Sequence, residues 1–149
     1  MDRTDRRNLL TTTATILGVV YLLVGIVGFF VTGVDGFADT DSQEYLLGFE
    51  INPLHNVVHL LVGAALLAGM KDAAKARGVL VLVGVVYALV GVAGFFLVDS
   101  EANILSLNVA DNWLHLGTAA VALGVVAYAG SDATGSRTDA ASSGRGRRS

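Results

Sequence analysis

Four long apolar runs, separated by short polar stretches, organise the chain: residues 9–32, 53–70, 78–98 and 108–128. Each is close to the ~20 residues that cross a hydrocarbon core as helix. The pattern predicts an all-α membrane protein, a bundle of four transmembrane helices. The polar stretches then fall into place as a short N-terminus at 1–8, three loops, and a tail at 130–149. The tail is rich in Gly, Ser, Asp, Thr and Arg, which bury too little surface to fold, so it reads as disordered. The first run is longer than the ~7–15 residues of a signal-peptide core, and is read as a retained span. In the first loop, Tyr45, Leu46, Leu47, Phe49 and Ile51 suggest a short turn of helix lying along the membrane surface.

Composition supports the membrane class. The 149 residues are 53% hydrophobic and only 15% charged, and mean hydropathy is +0.61, outside the range of ordinary soluble domains. Cysteine is absent, which removes disulfides, thiolate metal sites and cysteine nucleophiles. Charge placement predicts orientation. The basic residues are Arg3, Arg6, Arg7, Lys71, Lys75, Arg77, Arg137, Arg145, Arg147 and Arg148. All lie in the N-terminus, the second loop or the tail, whereas the first and third loops carry Asp and Glu and no base. By the positive-inside rule both termini and the second loop are cytoplasmic, at the cell membrane.

The spans are not independent of one another. Residues 16–31 and 82–97 agree at ten of sixteen positions, and Asn52, Asn56, His59 and Leu60 recur as Asn108, Asn112, His115 and Leu116. The chain therefore reads as two tandem two-helix repeats entering the membrane in the same direction, with pseudo-twofold symmetry along the membrane normal. Gly18, Gly25 and Gly28, with Gly84, Gly91 and Gly94, mark faces of close helix approach. Gly63, Ala64, Gly117 and Gly124 are the expected opposing small surfaces. Tyr21 and Tyr87 share the glycine faces. Side chains lean toward the N-terminus of their own helix, which inclines these tyrosines inward and the histidines outward.

The candidate chemistry sits where the second half of each repeat begins. Asn52, His55, Asn56 and His59 share one helix face, as do Asn108, Asp111, Asn112 and His115. Asn52 followed by Pro53 is a helix start, and Asn108 with Asp111 reads as a cap with a reciprocal acidic partner. Asn56, His59, Asn112 and His115 lie one to two turns deeper, about 6–10 Å below the caps, where lipid exposure is costly; they are expected to face inward and pair. The symmetry axis then brings His59 near His115 and His55 near Asp111.

Leu46-Leu47-Gly48-Phe49, Asn52-Pro53-Leu54-His55-Asn56-Val57-Val58-His59, residues 78–87, Leu107-Asn108 and Asp111-Asn112-Trp113-Leu114-His115 resemble an uncharacterised family of small four-span bacterial and archaeal membrane proteins. The resemblance covers about residues 7–128. It implies a four-helix membrane protein and brings no activity, substrate or cofactor.

Three readings of the polar stripes follow. The favoured one is a hydrogen-bonded clasp joining the two hairpins near the outer face, in a structural or accessory membrane protein, each interhelical bond contributing ~0.6–2 kcal/mol. The second is a metal or haem site: zinc on His55, His59, Asp111 and His115, or haem between His59 and His115. The third is a proton or ion relay, against which stands the lack of a complete charged path across the inner half of the spans. No serine-nucleophile arrangement, phosphate loop or nucleic-acid surface is present, which argues against an enzyme. The expected partners are the lipid bilayer, and a second copy or another membrane protein against lipid-facing glycines.

Overall fold

The computed structural model describes residues 2–130 and is all-helical but for one small hairpin. The elements are α1 (Arg3–Thr32), β1 (Tyr45–Leu46), β2 (Phe49–Glu50), α2 (Pro53–Gly69), α3 (Ala73–Leu97) and α4 (Val109–Gly130). The expected disordered tail lies, from residue 131 on, outside the described residues. α1, α3 and α4, of 30, 25 and 22 residues, are long and apolar enough to cross a membrane. α2 has 17 residues, about 26 Å of helix at 1.5 Å per residue, and falls just short of that length.

Helix packing follows the glycine pattern. On α1 the buried positions are Leu10, Ala14, Gly18, Tyr21, Gly25 and Gly28, one unbroken stripe of helical period. α3 repeats it with Ala76, Leu80, Gly84, Tyr87, Gly91 and Gly94. α1 packs chiefly on α2, and α3 on α4. The backbones of α1 and α2 nearly touch: a Cβ added at Gly63 would lie 2.9 Å from the Gly18 carbonyl oxygen and 2.7 Å from Leu22 N. The opposing small surfaces differ from expectation elsewhere. Ala64 is exposed, and Gly117 and Gly124 meet nothing within 4 Å. Leu116 and Leu123 of α4 fill the α3 notches at Gly91 and Gly84 instead. Outward faces carry large apolar side chains such as Leu23, Phe30, Leu82, Leu89 and Phe96, as lipid contact requires.

The first loop holds the main departure from sequence. In place of a surface helix, Tyr45 pairs with Glu50 and Leu46 with Phe49 in an antiparallel hairpin. Its two-residue turn places Leu47 at φ 56° and Gly48 at φ 90°, positive values at both positions as in the primed turns that match strand twist. Beside it, the Glu50 carboxylate pushes the exposed Tyr45 hydroxyl above its ordinary pKa. At the opposite end, Asp72 caps α3 by accepting from Lys75 N at 2.8 Å. That bond stabilises the ionised form and holds the Asp72 carboxyl below its ordinary pKa. Arg77 reaches across to donate to the Val126 carbonyl at 3.2 Å.

Candidate functional site

The two loops at the hairpin end are bound into one lid, and the N-terminus of α2 is its anchor. Asn52, wholly buried, caps α2 by accepting from His55 N at 2.8 Å. Its amide nitrogen also donates to the Asp39 carbonyl in the first loop (2.9 Å) and the Ile104 carbonyl in the third (2.8 Å). Ser106 donates to Glu50 Oε1 at 2.7 Å and accepts from Ser42 N at 3.2 Å. Asn108 accepts from Asp111 N at 3.0 Å and donates to the Gly48 carbonyl, also 3.0 Å. Asn103 closes the third loop on itself through Leu107 N and O, both at 2.9 Å. Ser106 holds φ 52° while fully buried, a conformation the surrounding bonds must enforce.

Beneath the lid, five rings from all four helices close a cycle. His55 and His59 have centroids 4.4 Å apart, His59 and Tyr21 5.2 Å, and Tyr21 and Tyr87 5.3 Å. Tyr87 and His115 follow at 4.7 Å, and His115 returns to His55 at 6.2 Å. Proton positions follow from the partners. His55 Nδ1 faces the Leu105 carbonyl at 3.0 Å and His115 Nδ1 the Asp111 carbonyl at 2.7 Å. A carbonyl only accepts, so both Nδ1 atoms carry protons and both Nε2 atoms present lone pairs. His59 Nε2 lies 3.2 Å from His55 Nε2 and therefore donates to it in the neutral cluster. His59 Nδ1 is left buried without a partner.

The asparagines one turn away behave differently. Each rests on a glycine of the neighbouring helix, Asn56 on Gly28 and Asn112 on Gly94, where an added Cβ would fall 2.5 Å and 2.6 Å from the amide carbon. Asn56 donates to Thr32 Oγ1 at 3.0 Å, while neither side-chain polar atom of Asn112 finds a partner. When residues 16–31 are set against 82–97, the position matching Thr32 is Val98, whose side chain offers no acceptor. The same asymmetry divides the tyrosines. Tyr21 shares a 2.8 Å bond with Thr118 of α4, whereas the Tyr87 hydroxyl is buried without a bond of ordinary geometry, the residue matching Thr118 being Val62.

The family model described as Domain of unknown function (DUF4383) matches residues 11–128. The chain belongs to this family. No curated protein and no solved structure matches it. The DUF4383 region thus contains the ring cycle, the lid and all four helices apart from the first turns of α1 and the last of α4.

Within this DUF4383 chain the eight residues singled out from sequence are all buried or half-buried at one end of the bundle, but they form two sets. His55, His59 and His115 offer ring nitrogens lying within 4.8 Å of one another. Asp111 is not in that group: its carboxylate accepts from Asn108 N at 3.4 Å, completing the expected capping arrangement. His55, expected beside Asp111, turns instead to Leu105. A haem between His59 and His115 does not fit, because the cavity bordered by the three histidines is about 60 Å³, against the ~300–1,000 Å³ of small-molecule pockets. The tyrosines do reach the histidines, since the length of both side chains outweighs their opposite lean. Sequence reasoning passed over Thr118, Thr32, Ser106 and Asn103. Thr118, three residues beyond His115 and on its face, was the one with a readable signal.

Proposed function

We propose that this is a four-span integral membrane protein with a structural or accessory role, in which the lid and ring cycle clasp two hairpins together near the outer face. In this reading the membrane domain comprises residues 9–129, α2 is the fourth span, and both termini are cytoplasmic. The hairpins are related by a pseudo-twofold axis along the membrane normal. The observation that carries the clasp is the closed cycle of five rings, which takes one member each from α1, α3 and α4 and two from α2, and is crossed by the Tyr21–Thr118 bond from the first hairpin to the second. The lid adds Asn52 and Ser106, each bonded across the two loops. Equivalent contacts in the two halves, Gly28 on Asn56 and Gly94 on Asn112, support the axis.

On the other side of the tyrosines the buried core includes Leu10, Ala14, Leu66, Leu80, Val83, Ala122 and Val126, and no fully buried titratable side chain lies there among the described residues, which favours the clasp over a proton relay. Replacing His59 and His115 by Gln, singly and together, tests the clasp. The expected result is a loss of stability in detergent whose double-mutant term departs from additivity by at least ~0.5 kcal/mol; strictly additive losses overturn it. For orientation, Asp39→Cys is expected to react with an impermeant reagent in intact cells and Ala73→Cys only after permeabilisation. The reverse pattern refutes the topology.

A further inference from the structure

Ring nitrogens of the three imidazoles converge, and an ion between them would displace the His59 proton from Nε2 to the unpartnered Nδ1. Nε2 of His55 and Nε2 of His59 are 3.2 Å apart, and His115 brings a nitrogen within 4.8 Å of both. Zinc holds imidazole nitrogens at ~2.0–2.1 Å in a tetrahedral shell, which separates neighbouring ligand nitrogens by about 3.3 Å. The His55–His59 edge already has that length, as the i, i+4 spacing on one helix allows. Closing His115 onto the same centre takes a shift of no more than about 1.5 Å.

Two further observations point to a ligand. His55 and His115 each commit Nδ1 to a backbone carbonyl, the outer contact that orients metal-binding imidazoles and aims Nε2 at the ion. A cavity of about 60 Å³ adjoins all three rings and is also lined by Tyr87, whose buried hydroxyl makes no bond of ordinary geometry; the space suffices for water. Asp111 is 1% exposed and lines a second small cavity together with His59.

The geometry points to a three-histidine site for a divalent transition-metal ion, zinc foremost, held by His55, His59 and His115 with the fourth position open to the cavity beside Tyr87. The assignment rests on the clasp reading and deepens it, since one ion bonded to α2 and α4 joins the hairpins directly.

The test uses full-length protein purified in detergent without a polyhistidine tag and stripped with a chelator. Titration with cobalt(II) is expected to give one ion per chain with the intense visible bands of a tetrahedral site, displaced stoichiometrically by zinc. Zinc is expected to raise the Tm of the stripped protein. His55→Gln, His59→Gln and His115→Gln are each expected to weaken binding by more than ~100-fold, beyond the 10–100-fold typical of losing an outer contact. Stripped wild-type protein that binds no cobalt overturns the site without recourse to any variant, as does binding that survives all three replacements. The histidine double-mutant cycle, run in chelator, reads the clasp alone. A non-additive cycle without cobalt binding refutes the metal site and leaves the clasp; cobalt binding with an additive cycle does the reverse.

Discussion

Replacing Asn52 by Ala separates the anchoring of the lid from simple helix capping. Loss of an Asn cap costs about 1 kcal/mol, within a range of 0.5–2. Asn52 also donates to the carbonyls of Asp39 and Ile104, and each such bond contributes a net 0.5–1.5 kcal/mol. The sum is about 3 kcal/mol. Its repeat counterpart, Asn108, caps α4 and makes one further bond, to the Gly48 carbonyl, from a half-exposed position, so Asn108→Ala is expected to cost about 1–2 kcal/mol on the same scale. Equilibrium unfolding in mixed micelles, followed by helical circular dichroism, compares the two. Asn52→Asp keeps the acceptor that caps α2 but turns a carboxylate oxygen on two carbonyls, and is expected to lose as much as the alanine variant or more. Amide exchange adds a spatial readout: Asn52→Ala is expected to speed exchange in both loops. The reasoning is refuted if Asn52→Ala is no more damaging than Asn108→Ala, or if its effect on exchange stays within the first loop.

Two further outcomes follow from packing and from the unequal surroundings of Tyr21 and Tyr87. Gly28→Ala and Gly94→Ala are each expected to cost about 1–3 kcal/mol by forcing the Asn56 or Asn112 amide to move, whereas Gly117→Ala and Gly124→Ala, which meet nothing within 4 Å, are expected to be neutral in the same unfolding assay. Thr118→Val is expected to lose about 1–3 kcal/mol by removing the bond that ties the buried Tyr21 hydroxyl to α4. Val62→Thr is expected to gain about 0.6 kcal/mol by giving Tyr87 the partner its counterpart has; a loss in that variant argues against the symmetric placement of the two tyrosines.

The helices were legible because lipid makes their signals simple: apolar length, glycine stripes and an Asn-Pro start each have one physical meaning. Long-range pairings were less so. The hairpin at Tyr45–Glu50 escaped because its turn is Leu47-Gly48; the Asn, Asp or Gly that announces positive φ is missing at the first position. The three-histidine grouping was half legible. His55 and His59 share a face by spacing alone, whereas His115 joins them only through the expected repeat axis, which says nothing of side-chain distances. Asp111 was assigned two roles from sequence, and the geometry favours the local one, since a carboxylate one turn from its own helix start finds backbone donors without any tertiary requirement.

The bridges from α2 to the third loop also bear on the order of events at the ribosome and translocon. The acceptor for His55 is Leu105, 50 residues later in the chain, and Glu50 waits for Ser106 across 56. The first two helices on their own therefore hold an incomplete polar cluster, which is closed only when residues 105 and 106 of the third loop have been made.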